Sequence, residues 1–357
     1  MNIDFHYGVI YAVARIGGFA AKDAQTVAHA CQYVDDATTP GVLEFSEGQT
    51  YERFASAHVM LDYRNEMNDQ DKLVWAPFHF LPGGDGNSLD EKAVCRPDSV
   101  IAKTMVKRAI EARQADNALH RLGITLHTYV DTWAHQGFTG TVSKRNHITY
   151  LKGDDHDEKT WLSKLNGFLG TAENTVAAIA LDTISGLGHG AALHFPDMPW
   201  ATWEYIDGHG AHVYRQNLPD FVMAADMACK AIQGFINGNP DFSKEPGLSG
   251  ATKSELSGIL SQSRSHDEKE RLSTFRKAFA SGAITSCVEA IPGYIPKGVG
   301  SWKYQATGIA DKDDGSKKPV WSETFESSDY RKFHDAIKEH RFVVTQEILP
   351  AFGIRLA

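Results

Sequence analysis

The chain predicts an all-α fold, a single-domain helical bundle, and three observations carry that prediction. Apolar residues recur at helical spacing along most of its 357 residues, while convincing period-two alternation is almost absent. Glycine and proline fall where the helical stretches end, as in Gly17-Gly18 and in TTPG at 38–41. A composition 42% hydrophobic and 23% charged leaves enough chain for a sizeable core.

The elements follow in order. Residues 7–17 read as a helix stopped by the glycine pair, and 22–36 as a second one stopped by TTPG. Residues 50–65 read as helical, whereas 73–98 (LVWAPFHFLPGGDGNSLDEKAVCRPD) is irregular, broken by Pro77, Pro82 and three glycines. Amphipathic helices are expected over 98–114, 116–136 and 158–185, followed by an irregular stretch from 186 to 210. Helices resume at 217–237, 251–263, 266–281 and 328–348, with loops at 240–250 and 292–319. Asp311, Asp313 and Asp314 lie in the second loop; they lack calcium-loop ligand spacing and read as a solvated loop. The organisation predicted is one mainly helical domain over 1–357, with a metal-binding core in 1–237 and a C-terminal helical extension in 238–357. The irregular segments 73–98 and 186–210 would meet at one end of the bundle.

Charge narrows the function. A formal net charge of −9 argues against avid nucleic-acid binding, which needs a cationic surface. It leaves phosphate esters open, because bound cations reverse the sign locally. No apolar run of about 18 residues is present to span a membrane. The opening MNIDFHYGVIYAVARIGGFAA lacks a positively charged leader, which predicts a cytoplasmic location or export without a cleaved signal. Cys31, Cys95, Cys229 and Cys287 are scattered and read as reduced thiols.

Histidine is the compositional outlier: 13 of 16 fall in the first 212 residues. In LGITLHTYVDTWAHQGF (122–138), His127, Asp131 and His135 are four apart and share a helix face, with His120 two turns earlier. Leu119, Leu122, Leu126, Val130 and Trp133 run beside them as an apolar stripe. Such a ladder is solvated, pairs within itself, or surrounds a cation. Asp35 falls on the apolar side of its helix with Ala28 and Cys31, where a carboxylate needs an arginine or a metal; Asp36 falls on the polar side with His29 and Gln32. His6 precedes an apolar helix, His79 stands between Phe78 and Phe80, and His189 sits in GLGHG. His194, Asp197 and Glu204 follow in HFPDMPWATWEY, and His209 in DGHG. Imidazoles and carboxylates without thiolates suit zinc or a similar divalent ion. His127 and Asp131 would serve one ion and His135 a neighbour.

LHTYVDTWAH, with its HxxxDxxxH spacing, resembles the metal-binding helix of the zinc-dependent phospholipase C and P1-nuclease-like superfamily, and FHFLPGGDG resembles its His-Phe loop. DFHYGVIYAVARIGGF, CQYVDDA and GLGHGAALHFPDMPWATWEY look like an uncharacterised bacterial family designated a domain of unknown function. The resemblance covers residues 1–237. It implies an all-α bundle with two or three zinc ions in a cleft. Asp35, His79, His127 and Asp131 would surround one ion, with Asp35 bridging. His135 and His189 would hold a second, completed by Glu204, Asp197 or His194, with His209 a further candidate. His6 would serve a third. In those phospholipases the first residue's free amine binds metal; here five residues precede His6, so the imidazole is expected in its place.

The expected activity is metal-dependent hydrolysis of a small-molecule or lipid phosphoester, a phosphodiester first of all. Asp35, or Asp36 behind it, would accept the proton of the attacking water. Phe78, Trp133, Trp200 and Trp203 would wall the leaving group, core packing being the alternative for each. Two other readings stay open: a saturated, non-catalytic metal scaffold or binding module, and a metal-free ladder paired within itself.

Overall fold

The computed structural model describes residues 1–57, 72–153, 188–310 and 317–356. Asp4–Val9 forms a wide π-helical turn that runs into α1 (Ile10–Gly17), which ends where Gly18 takes a left-handed φ of 117°. Next come α2 (Ala21–Asp36), a hairpin of β1 (Gly41–Glu44) and β2 (Thr50–Arg53), and the short helices α3 (Lys72–Phe78) and α4 (Leu89–Lys92). After α5 (Val100–Glu111) and α6 (Ala118–Ala134), the strands β3 (Thr149–Gly153), β4 (Thr202–Ile206) and β5 (His212–Gln216) form an antiparallel sheet in the order β3-β4-β5. The chain continues through α7 (Asn217–Asn237), α8 (Gly250–Gln262), α9 (Glu268–Ala280), α10 (Trp302–Thr307) and α11 (Glu323–Glu326). It closes with α12 (Asp329–Phe342), a second π-helical turn at Val343–Ile348, and α13 (Leu349–Ala351).

Helix α6 is the axis. Of its 17 residues only Leu119 and Arg121 are not fully buried, as expected of a helix packed on all sides. Its closest neighbour is α2, and Gly123 is the reason: a Cβ there would stand 2.5 Å from the Val27 carbonyl oxygen and 2.6 Å from the Ala30 Cβ. Helix α6 also packs against α5, α7 and α12. The C-terminal end of α6 is held by Arg215 of β5, whose guanidinium donates to the carbonyls of Trp133 (3.0 Å) and Gln136 (3.3 Å). The sheet and the C-terminal end of α6 are thereby one unit.

The all-α expectation is corrected. A chain about 54% helical that also carries two small antiparallel sheets is mixed α/β. Part of the segment expected as helix 50–65 is strand β2, and the supposedly irregular 186–210 contains β4. The expected helix at 158–185 and the Asp311–Asp314 loop lie outside the described residues. The C-terminal third packs into the body: α12 lies on α6, and α9 packs on the Asp4–Val9 turn. Buried Arg271 of α9 grips Asp4 at 3.0 and 3.1 Å. No described helix is long and apolar enough to cross a membrane.

Candidate metal centre

Four imidazoles are aimed by the backbone. His79 Nε2 stands 2.9 Å from the Ser56 carbonyl oxygen, His127 Nδ1 2.8 Å from that of Cys31, and His135 Nδ1 2.8 Å from that of His79. His189 Nδ1 lies 3.1 Å from the Leu193 carbonyl oxygen. A carbonyl only accepts, so each of these nitrogens carries the N–H and the opposite nitrogen of a neutral ring presents a lone pair. Burial holds His127 and His189 neutral, pushing each down to about 4, with neighbouring carboxylates opposing.

Two of those lone pairs, His127 Nε2 and His79 Nδ1, face one another at 3.2 Å. Asp131 Oδ2 lies 3.3 Å from the first and 3.6 Å from the second, and Asp35 Oδ1 lies 3.7 and 3.8 Å from them. Asp131 Oδ2 is buried without a hydrogen-bond donor among the described residues. Acceptors so crowded repel unless something positive stands between them. Tetrahedral zinc with bonds of about 2.0–2.2 Å sets its ligand atoms about 3.3–3.6 Å apart, close to this spacing.

A second group joins His135 Nε2 to Asp197 Oδ1 at 3.4 Å and His189 Nε2 to Asp197 Oδ2 at 3.6 Å, the three donors fitting one ion. Phe80 stacks on the His135 ring at 4.6 Å and helps fix its plane. The third group is built on the π-helical turn. His6 Nε2 stands 3.0 Å from Asp131 Oδ1, and its Nδ1 stands 3.1 Å from Asp35 Oδ2. The Met1 amino group reaches the same place, 2.6 Å from Asp131 Oδ1, 3.1 Å from Asp197 Oδ1 and 3.5 Å from His135 Nε2. Burial opposes its charge, but Asp131 and Asp197 outweigh that and raise the amine to about 11. His6, expected in place of an amine, lines Asp131, and the Met1 amine lines it too.

His127 belongs to two of the three groups, and its single Nε2 lone pair serves one ion at a time. Asp131 is the bridge, one oxygen toward His6 and Met1 and the other toward His79 and His127. The side chains of His6, His127 and Asp131 are sealed, but those of Asp35 and His189 are 34% and 18% exposed, so the cluster opens at two edges.

The other sequence candidates lie elsewhere. Glu204 sits on β4 between inward-facing Trp203 and Tyr205, so pleating turns it to the other face, where it pairs with His212 (3.1 Å) and Lys152 (3.8 Å). Asp197 stands where Glu204 was expected. His194 is exposed at the start of the turn carrying Asp197, and His209, half-exposed, faces Asp90 at 3.6 Å. Phe78 is fully buried against His340, Trp133 packs edge-on against Tyr129, and Trp203 stacks between Phe195 and Tyr205. These three are core residues. Trp200, three residues after Asp197, packs under the Arg271 guanidinium at 5.6 Å. Asp36 is turned from the cluster toward Gln32 and Tyr294.

Sequence reasoning missed the Met1 amine and Tyr294. Nothing local marks Tyr294, which reaches Asp36 only through the packing of the C-terminal third.

No curated protein and no solved structure matches this chain. A family model described as a family of unknown function, DUF6765, matches residues 1–348, well past the limit of the likeness read from the sequence, and the chain belongs to that family.

Proposed function

We propose that the cluster binds zinc or a similar divalent ion, two or three per chain, and that the protein is a metal-dependent phosphoester hydrolase acting first of all on phosphodiesters. The observation that carries the metal is the 3.2 Å approach of the His79 and His127 lone pairs beside the undonated Asp131 oxygen. A donor set of imidazoles and carboxylates matches zinc's ligand chemistry. The resemblance of the HxxxDxxxH helix to the zinc-dependent phospholipase C and P1-nuclease-like superfamily supports the reaction class.

Bound divalent cations would supply Lewis acidity toward a phosphoryl group and acidify water. The chain's own residues have separate tasks. Asp35, at the open edge, is the carboxylate placed to take a proton from attacking water, with its Oδ2 held by His6 and Gln32. His135, His189 and Asp197 offer three protein donors and an exposed edge, the pattern of a site with an exchangeable position rather than a saturated scaffold. The net charge of −9 favours small or lipid phosphoesters over polymeric nucleic acid.

The test is turnover of bis-para-nitrophenyl phosphate and para-nitrophenyl phosphocholine by protein stripped with chelator and reloaded with zinc. The expected result is activity that disappears on stripping and returns on reloading. Stoichiometric zinc with no turnover of either ester would replace the hydrolase by a metal-stabilised scaffold.

A further inference from the structure

The segment from Glu289 to Tyr294 has no regular secondary structure, yet the body of the protein holds it at short intervals. Glu289 takes both arms of Arg15 at 2.7 and 2.9 Å and the Tyr11 hydroxyl at 2.7 Å. The Ile291 carbonyl accepts from Arg276, and those of Pro292 and Gly293 accept from the Tyr7 hydroxyl at 3.1 and 3.3 Å. The strap ends on Tyr294, whose hydroxyl donates to Asp36 Oδ2 at 2.6 Å. Gln32 Nε2 then spans the two neighbouring carboxylates, 3.4 Å from Asp36 Oδ2 and 3.3 Å from Asp35 Oδ2. Its amide is oriented by need, since carboxylates on that side only accept. The relay runs from a residue far along the chain to Asp35, a partly exposed carboxylate that approaches His79 and His127.

We infer that Tyr294 is a positioning residue of the metal centre, setting the stance of the Asp35 carboxylate through Asp36 and Gln32. The inference rests on the metal-binding part of the reading above. Two adjacent acidic groups share the one amide, at 3.3 and 3.4 Å, both long contacts. The phenol, at 2.6 Å, is the stronger donor to Asp36 and lets the amide lean toward Asp35. Without the hydroxyl, Asp36 draws on the amide, and Asp35 keeps His6 alone on its outer oxygen. Partners of this kind, one step behind a ligand, typically change metal affinity about 10–100-fold.

The experiment measures zinc affinity of the full chain by competition with a chromogenic chelator. Tyr294→Phe keeps the ring against Tyr7 (5.2 Å) and His29 (4.7 Å) and removes only the hydroxyl. It should weaken one class of zinc about 10–100-fold and leave the class held by His135, His189 and Asp197 as in the wild type. Gln32→Leu breaks the next link and should reproduce that selective loss. Tyr7→Phe loosens the same strap without touching Asp36 and should bind zinc as the wild type does. Wild-type affinity in Tyr294→Phe, or equal weakening of every zinc class in Tyr294→Phe and Tyr7→Phe, overturns the inference. A wild type that takes up no zinc removes the metal reading itself, and the inference with it.

Discussion

At the scale of single residues, the centre depends on which imidazole nitrogen is free. Ser56, Cys31, His79 and Leu193 supply carbonyls that fix the N–H of His79, His127, His135 and His189, so the opposite nitrogens present their lone pairs to the cluster. His127→Ala is expected to remove stoichiometric zinc, whereas Glu204→Gln and His209→Gln should retain wild-type content by elemental analysis. Retention of full zinc by His127→Ala would show that the ion is held elsewhere. The sequence made His127, Asp131 and His135 legible because helical spacing alone puts them on one face. It misjudged Glu204 against Asp197 because the choice depends on strand pleating, invisible while 186–210 is read as irregular. The Met1 amine carries no local signal at all.

Among elements, the decisive contact is the crossing of α2 and α6, which sets Asp35 against His127. Gly123 allows it by letting Val27 and Ala30 approach the α6 backbone. Gly123→Ala should push the helices apart and destabilise the fold by about 1–3 kcal/mol through overpacking, while weakening zinc binding. Denaturant unfolding and chelator competition measure the two effects, and unchanged values for both would mean that the crossing is not what sets the ligand geometry. Most helices were readable from periodicity, including α2, α6 and α7. The sheets were not. β1 and β2 have four residues each and β3 to β5 five, too short for alternation to outweigh the helical signal around them. The π-helical turn that brings His6 to Asp131 was not legible either: the expected helix begins at residue 7, after His6, and one extra residue per turn leaves no mark in a short apolar run.

For the whole molecule, three histidines outside the cluster are buried neutral: His29 and His334 are pushed down to about 3 and His340 to about 4, burial being the main cause in each. Their folded values lie below the ordinary unfolded value near 6.5, so below that pH the unfolded chain takes up protons that the folded one refuses. Stability is therefore fully present above pH ~6.5 and falls on acidification, by about 4 kcal/mol for the three together between pH ~7.5 and ~5.5. Denaturant unfolding at the two pH values tests this. His340→Gln, which keeps a donor for the Pro77 carbonyl, should lessen the loss by about a third; a variant with the wild-type pH dependence would mean that His340 does not titrate as described. The C-terminal third, expected as an extension, is bound into the core by Arg271 and Asp4 and reaches the centre through Tyr294.

The central claim is that side chains from distant parts of the chain enclose a divalent cation. Anomalous diffraction at the zinc edge, on crystals of zinc-reconstituted protein, tests it most directly. A peak is expected among Asp35 Oδ1, His79 Nδ1, His127 Nε2 and Asp131 Oδ2, with a second beside His135, His189 and Asp197. An electron-density map with no peak at either place, and the two facing imidazoles joined by a shared proton, would contradict it.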